Sequence, residues 1–253
     1  MYYGLTNALG RHQSGFSPLK LHPALWLDAS DASTLWDSTT GGALVAADGS
    51  VARWEDKSGN GRHATQGTAV SRPQRKAAIQ NGRDVVRFDG SNDYLALSSS
   101  YDLPTFSIFA VSKRINNAST NAIYTSGTSD GTNKRDAMLF YAGGSNQLLA
   151  QRSDNASYPT ASIGNTFNSF EICESNFNGS TLTVSVNGVD SSPVSTSISG
   201  SSTDSIWIGA ANQTVPGFWM QGDIAEILVF PTALSDTDRG RVEAYLNLKW
   251  SIY

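Results

Sequence analysis

Two stretches decide how this chain folds: Trp54-Glu-Asp-Lys-Ser-Gly-Asn-Gly-Arg-His63, and about two dozen residues later Arg87-Phe-Asp-Gly-Ser-Asn-Asp-Tyr-Leu95. Each sets a short strand of β-branched or aromatic residues against a cluster of Asp, Ser, Asn and Gly. That is strand chemistry running straight into turn chemistry. The pattern continues along the chain. Phe106-Ser-Ile-Phe-Ala-Val-Ser-Lys113 is apolar on both faces, as a strand between a second sheet and another layer must be. Thr181-Leu-Thr-Val-Ser-Val186 alternates, with Leu182, Val184 and Val186 on the core face, and Asn187-Gly188 supplies the positive φ angles of a type I′ hairpin turn. Further strands are expected near 84–89, 137–142, 147–152, 168–174, 205–209 and 222–230. Many short strands and almost no helical period predict an all-β, two-sheet antiparallel jelly-roll sandwich.

The two ends depart from this pattern. Residues 1–21 are small and polar, punctuated by Tyr2, Tyr3, Leu5 and Phe16. They read as an extended N-terminal arm with too little apolar surface to fold alone, expected to anchor on its own sandwich or on a partner through those four side chains. The sandwich then occupies 22–253, closed by one helix over 235–250. Ser235 and Asp238 make a capping-box-like start, and Tyr245, Leu246 and Trp250 form the expected docking stripe over a sheet.

Composition narrows the function. At 253 residues the chain can bury one large core. Only 16% of residues are charged and the formal net charge is −4, so there is no basic stripe to release counterions from a phosphate backbone, and nucleic acid is not an expected partner. Cys173 is the sole cysteine, which leaves no internal disulfide. No apolar run reaches the roughly 18 residues that cross a bilayer. The opening Met1-Tyr-Tyr-Gly-Leu-Thr-Asn-Ala-Leu-Gly10 lacks the basic and apolar regions of a signal peptide, so the protein is expected to be made and kept in a cytoplasm, or to leave it by a route other than secretion, such as lysis.

Taken in order, Leu25-Trp-Leu-Asp-Ala-Ser-Asp31, the Asp56–Gly61 loop, Phe88–Leu95, Phe106–Val111, Gly222–Phe230 and Leu234…Trp250 resemble the concanavalin A-like, laminin-G-like jelly-roll family across about residues 22 to 253. The opening Phe16-Ser-Pro18…Leu25-Trp-Leu-Asp28 is further similar to domains of bacteriophage and prophage virion proteins. The resemblance implies a sandwich that binds glycans, often with calcium, or that serves on the exterior of a particle. The expectation is therefore a non-enzymatic virion structural protein, a capsid decoration or a tail or fibre component, displaying a lectin-like sandwich to host polysaccharide. Its partners would be other virion proteins and further copies of itself. The alternative is a stand-alone carbohydrate-binding module.

Individual residues follow from these two readings. Trp219, Tyr158 and Trp36 lie beside turn-like sequence and are candidate sugar-stacking aromatics, although each is equally suited to covering a core or a strand edge. Asp89, Asn92 and Asp93 offer hard oxygens within five residues, with Asp223 expected to approach from a late strand; calcium is the one candidate cofactor and none is required. The competing reading makes the same residues turn formers through side-chain to backbone hydrogen bonds. Asp56-x-Ser58-x-Asn60-Gly61 mimics the opening of a calcium loop, but Gly67 stands where a bidentate Glu is needed, so a structural turn is expected. Glu226 is expected half-buried on a strand face with Ile224 and Leu228, paired with Arg53, Lys57 or Arg87. No catalytic set is found. A retaining glycanase needs two carboxylates on one strand face, whereas the spacing of Glu171 and Glu174 sends them to opposite faces.

Overall fold

The structure, a computed structural model, describes residues 15–127, 135–154, 157–198, 205–211 and 217–253. Tyr2, Tyr3 and Leu5 of the expected arm lie outside these residues. In chain order the strands are Leu25–Asp28 (β1), Leu35–Trp36 (β2), Arg53–Trp54 (β3), Ala64–Thr65 (β4), Gln74–Gln80 (β5), Arg83–Asp89 (β6), Leu95–Leu97 (β7), Phe106–Arg114 (β8) and Asn121–Gly127 (β9). They continue with Arg135–Tyr141 (β10), Gln147–Ser153 (β11), Thr160–Gly164 (β12), Glu171–Phe177 (β13), Thr181–Val186 (β14), Val189–Asp190 (β15), Val194–Ser195 (β16), Ile206–Ile208 (β17) and Gln221–Phe230 (β18). One helix follows, Asp236–Trp250 (α1).

The first sheet has the order β15-β14-β13-β8-β18-β6-β5, with β1 also on β18 and β16 on β14. The second has the order β12-β11-β10-β9-β17-β7-β4-β3-β2. Every pairing is antiparallel, as a jelly-roll sandwich requires. The two inner faces meet in one core that includes Trp54, Phe88, Phe106, Ile123, Leu139 and Val229. Leu182, Val184 and Val186 face that core as their alternation requires, and Asn187 and Gly188 take positive φ at the hairpin turn.

A second apolar layer lies on the outer face of the first sheet. There α1 buries Val242, Leu246 and Trp250, spaced one turn apart, against Phe109, Val111, Ile172 and Leu228. The expected Tyr245 sits only partly buried at the edge of this layer. Ser235 caps the helix by accepting from the Asp238 N–H at 3.2 Å. At the other end the hairpin between β5 and β6 supplies donors for the orphan carbonyls: Gln80 Nε2 donates to Trp250 O and Asn81 Nδ2 to Lys249 O. Arg239 clasps Glu174 of β13 through Nε at 2.5 Å and Nη2 at 3.2 Å.

The helix is fixed above all by Glu226, and here the structure corrects the sequence reading. Glu226 is fully buried. It accepts from Trp26 Nε1 at 2.7 Å, Trp250 Nε1 at 2.6 Å, Lys249 Nζ at 2.8 Å and Tyr245 OH at 3.0 Å. None of Arg53, Lys57 and Arg87 is its partner: they pair with Glu55, with Asp28 and Asp31, and with Asp223. A register shift between Ile224 and Glu226 is the cause. Ile224 stays in the inter-sheet core, while the extra residue turns Glu226 outward with Leu228 and Phe230, under the helix. Burial, with the Asp28 carboxylate beside it, raises the Glu226 pKa, and Lys249 and Trp250 pull the other way. Lys249 also reaches Asp28 at 2.6 Å, so one cation serves two buried carboxylates.

Glu226→Ala would leave the Trp26 and Trp250 indole N–H groups without an acceptor in the second core and Lys249 with Asp28 alone. The expected cost is about 3–5 kcal/mol in guanidinium unfolding, with loss of the near-ultraviolet dichroism of Trp250. A change under about 1 kcal/mol would show that the clamp does not hold the helix.

Candidate functional site

With α1 over the first sheet, the outer face of the second sheet carries a cluster of partly exposed aromatic side chains. Trp207 lies in β17 between Ile206 and Ile208, which both enter the core, so its indole points outward. Its neighbours across the ladder are Ala96 of β7 and Thr125 of β9. Tyr94, just before β7, stacks on it with ring centroids 4.2 Å apart and planes 15° from parallel. Trp219 tilts towards Tyr94 at 6.2 Å. All three rings are half-buried, which leaves part of each open to a ligand.

Beside Trp219 a cleft of ≈ 360 Å3 is lined by Gly90, Ser119, Thr120 and Phe218. Phe218 is 39% exposed and its φ is +54°. A bulky side chain in the left-handed region costs roughly 1–3 kcal/mol and persists only where the surroundings fix it. They do so here: Phe218 O accepts from Ala122 N at 2.7 Å, and Met220 N donates to Gly209 O at 2.8 Å. Gly209 has φ +82°, and a Cβ on it would meet the Phe88 ring at 2.3 Å, so only glycine lets this turn close on the core. The hydroxyl wall is held by buried Asn121, whose Nδ2 donates to Ser119 O and whose Oδ1 accepts from Gln221 N at 2.6 Å.

Of the three aromatics expected from the sequence, the structure brings Trp219 to this cleft and places the other two elsewhere. Trp36 lies on edge strand β2, four strands from β17 in the sheet order, under the Arg53 guanidinium at 4.9 Å. Tyr158 is 52% exposed before β12, beyond the opposite side of the sheet. The sequence reading passed over Tyr94 and Trp207. Only Trp207 carries a local signal, an aromatic between two inward aliphatic residues, whereas Tyr94 follows Asp93 and precedes β7.

The acidic quartet is not assembled around one point. Asp89 Oδ1 accepts from the N–H groups of Ser91 and Asn92 at 2.8 and 3.2 Å, and Asp93 Oδ2 accepts from Asp89 N at 3.0 Å. Asp223 is fully buried and bound by Arg87 at 2.6 and 2.9 Å, with Lys113 Nζ 3.5 Å away. Among the described residues no three His, Cys, Asp or Glu side chains converge as a metal site. The Asp56 loop is likewise cross-braced from within, its carboxylate accepting from Trp26 N, Ser58 N, Ser58 Oγ and Arg62 N. Glu171 and Glu174 face opposite sides of β13. The Glu174 carboxylate meets Arg239 of α1, whereas Glu171 accepts from Thr166 N, so the two cannot flank one bond. Phe16 packs edge-on against Tyr245 of the protein's own helix, with centroids 6.2 Å apart.

No protein-family model and no curated protein sequence matches the chain. Solved structures do. A botulinum neurotoxin serotype D binding domain superposes with a TM-score of 0.61 at 14% identity, over 92% of this chain and 53% of that one. A botulinum neurotoxin type C structure, described as dependent on interaction with two ganglioside molecules for entering cells, gives 0.57 at 13% identity, over 89% and 51%. The chain thus spans about half the length of these structures, and the likeness establishes a shared β-sandwich fold.

Burial, and next the Asp89 carboxylate, push Asp93 up to about 6, although the Asp89 N–H bond opposes them. A carboxyl raised in the folded state contributes stability that is fully present below its unfolded value near 4 and is lost as pH rises through about 6. Urea midpoints at pH 4.5 and 7 are therefore expected to converge in Asp93→Asn relative to the parent. An unaltered difference would show that Asp93 titrates normally.

Proposed function

We propose that this chain binds glycans without transforming them, in the cleft beside Trp219 on the sheet that the helix leaves open. The observation that carries this is the half-exposed cluster of Tyr94, Trp207 and Trp219 beside a hydroxyl-lined wall, with Phe218 held at a strained backbone angle. A pyranose presents an apolar C–H face and a rim of hydroxyls. Flat aromatic faces suit the first, and the Ser119 and Thr120 hydroxyls with nearby carbonyls suit the second. The fold shared with a toxin binding domain, and with a neurotoxin whose cell entry depends on two ganglioside molecules, supports this reading at the level of architecture.

Metal is given no part in this cleft: in the neighbouring turn one oxygen each of Asp89 and Asp93 accepts from the turn's own backbone. The finer expectation, a virion structural protein on a bacteriophage exterior anchored by the arm of residues 1–21, rests on the sequence resemblance. The relatives named above are toxin binding domains and lend it no support.

A glycan array followed by calorimetry on the best ligand tests the site. Trp219→Ala and Tyr94→Ala are each expected to weaken binding about tenfold or more, ~1.4 kcal/mol, while Trp36→Ala and Tyr158→Ala leave it unchanged. Binding is expected to survive EDTA; loss with the chelator would restore calcium to the 89–93 turn. A ligand whose affinity ignores both Trp219 and Tyr94 would place the sugar elsewhere.

A further inference from the structure

We infer that the opposite end of the sandwich holds a second site, one that accepts a sugar-sized organic anion through its carboxylate or phosphate. Strand β18 runs about 33 Å from Gln221, beside the aromatic cleft, to Phe230 and Pro231. Pro231 lines a separate cleft of ≈ 300 Å3 together with Leu19, His22, Asn60, Arg62 and Tyr101. Among the described residues no Asp or Glu lines it, although the whole chain carries a net charge of −4.

Arg62 is pinned in this cleft but left incomplete. Its Nη1 donates to Ala24 O at 2.8 Å, and its guanidinium carbon lies 4.7 Å from the Tyr101 ring centroid. The Nε and Nη2 edge has no acceptor and the side chain no carboxylate partner among the described residues. In Arg87 and Arg239 that same edge holds a carboxylate in a two-pronged grip, on Asp223 and Glu174 respectively. An unfilled fork of this geometry matches a carboxylate or phosphate from outside.

The loop behind it is rigid. Both oxygens of Asp56, the acid of this loop, are occupied by Trp26 N, Ser58 N, Ser58 Oγ and Arg62 N, and Asp56 N donates to His63 Nδ1 at 3.1 Å. Asn60 Nδ2 ties the loop to Pro23 O and Ala24 O at 3.1 and 3.2 Å. Across the cleft His22 is held in the left-handed region at φ +52°, where its N–H closes the preceding turn on Leu19 O. Its imidazole adds a further donor, and Leu19, Pro231 and the Tyr101 ring supply walls for an apolar body. The Asp-Lys-Ser-Gly-Asn-Gly-Arg stretch therefore does more than turn the chain: it preorganises a guanidinium.

Calorimetry with D-glucuronate, glucose 1-phosphate and uncharged D-glucose tests this, alongside NMR of the His22 imidazole, one of three histidines in the chain. At least one of the two anions is expected to bind and to shift the His22 signal saturably, the one that does so identifying the preferred group, while glucose does neither. Arg62→Gln is expected to weaken that binding at least tenfold, and His22→Ala, an exposed change that spares the fold, several-fold. Trp219→Ala is expected to leave it intact, which separates this site from the aromatic cleft. Silence of both anions, an equal response to glucose, or affinity unchanged in both variants would overturn the assignment.

Discussion

One buried carboxylate governs the architecture. Glu226 sits where β18, β1 and α1 meet, and its four donors come from Trp26 on one strand and Tyr245, Lys249 and Trp250 on the helix. An isolated charge in such a place is costly, and the cost is offset only if every donor is present at once. The consequence is cooperative: the helix cannot leave without exposing Trp250 and taking from Glu226 three of its four donors. Burial works to raise Asp28, but Lys249 and Lys57 outweigh it and hold its pKa below the ordinary aspartate value.

That clamp bears on the proposed sites. The outer face of the first sheet is occupied by the helix layer, and the two proposed sites lie on the second sheet and in the loops at the ends of the sandwich. At one end, short strands β7 and β17 turn Tyr94 and Trp207 outward beside Trp219. At the other, the Asp56 loop holds Arg62 with one edge unfilled. At both ends carboxylates brace the turns by accepting from their own backbone, Asp56 in one and Asp89 in the other.

The sandwich was legible because its strands announce themselves by period. Thr181–Val186 and its Asn-Gly turn, Phe106–Arg114 with both faces buried, and the Ser235-capped helix all fell where local pattern placed them. Two kinds of information were not local. The bulge between Ile224 and Glu226 breaks alternation without leaving a mark in composition, so the partner of Glu226 could not be read from strand phase. Likewise Tyr94 and Trp207 lie on segments of about three residues, too short for periodicity to speak, and only their pairing across the sheet brings them together. Trp219 was found from its turn-rich surroundings. Trp36 and Tyr158 had the same surroundings but lie on distant parts of the sheet.

Saturation-transfer NMR with an array-selected oligosaccharide asks most directly whether sugars lie on these rings. Selective irradiation of the aromatic protons should pass magnetisation to the axial C–H face of one sugar ring, and replacing Trp219 together with Tyr94 should abolish the transfer. Transfer that persists without those two rings, or that is absent from a ligand bound tightly, would contradict a sugar site on the open sheet.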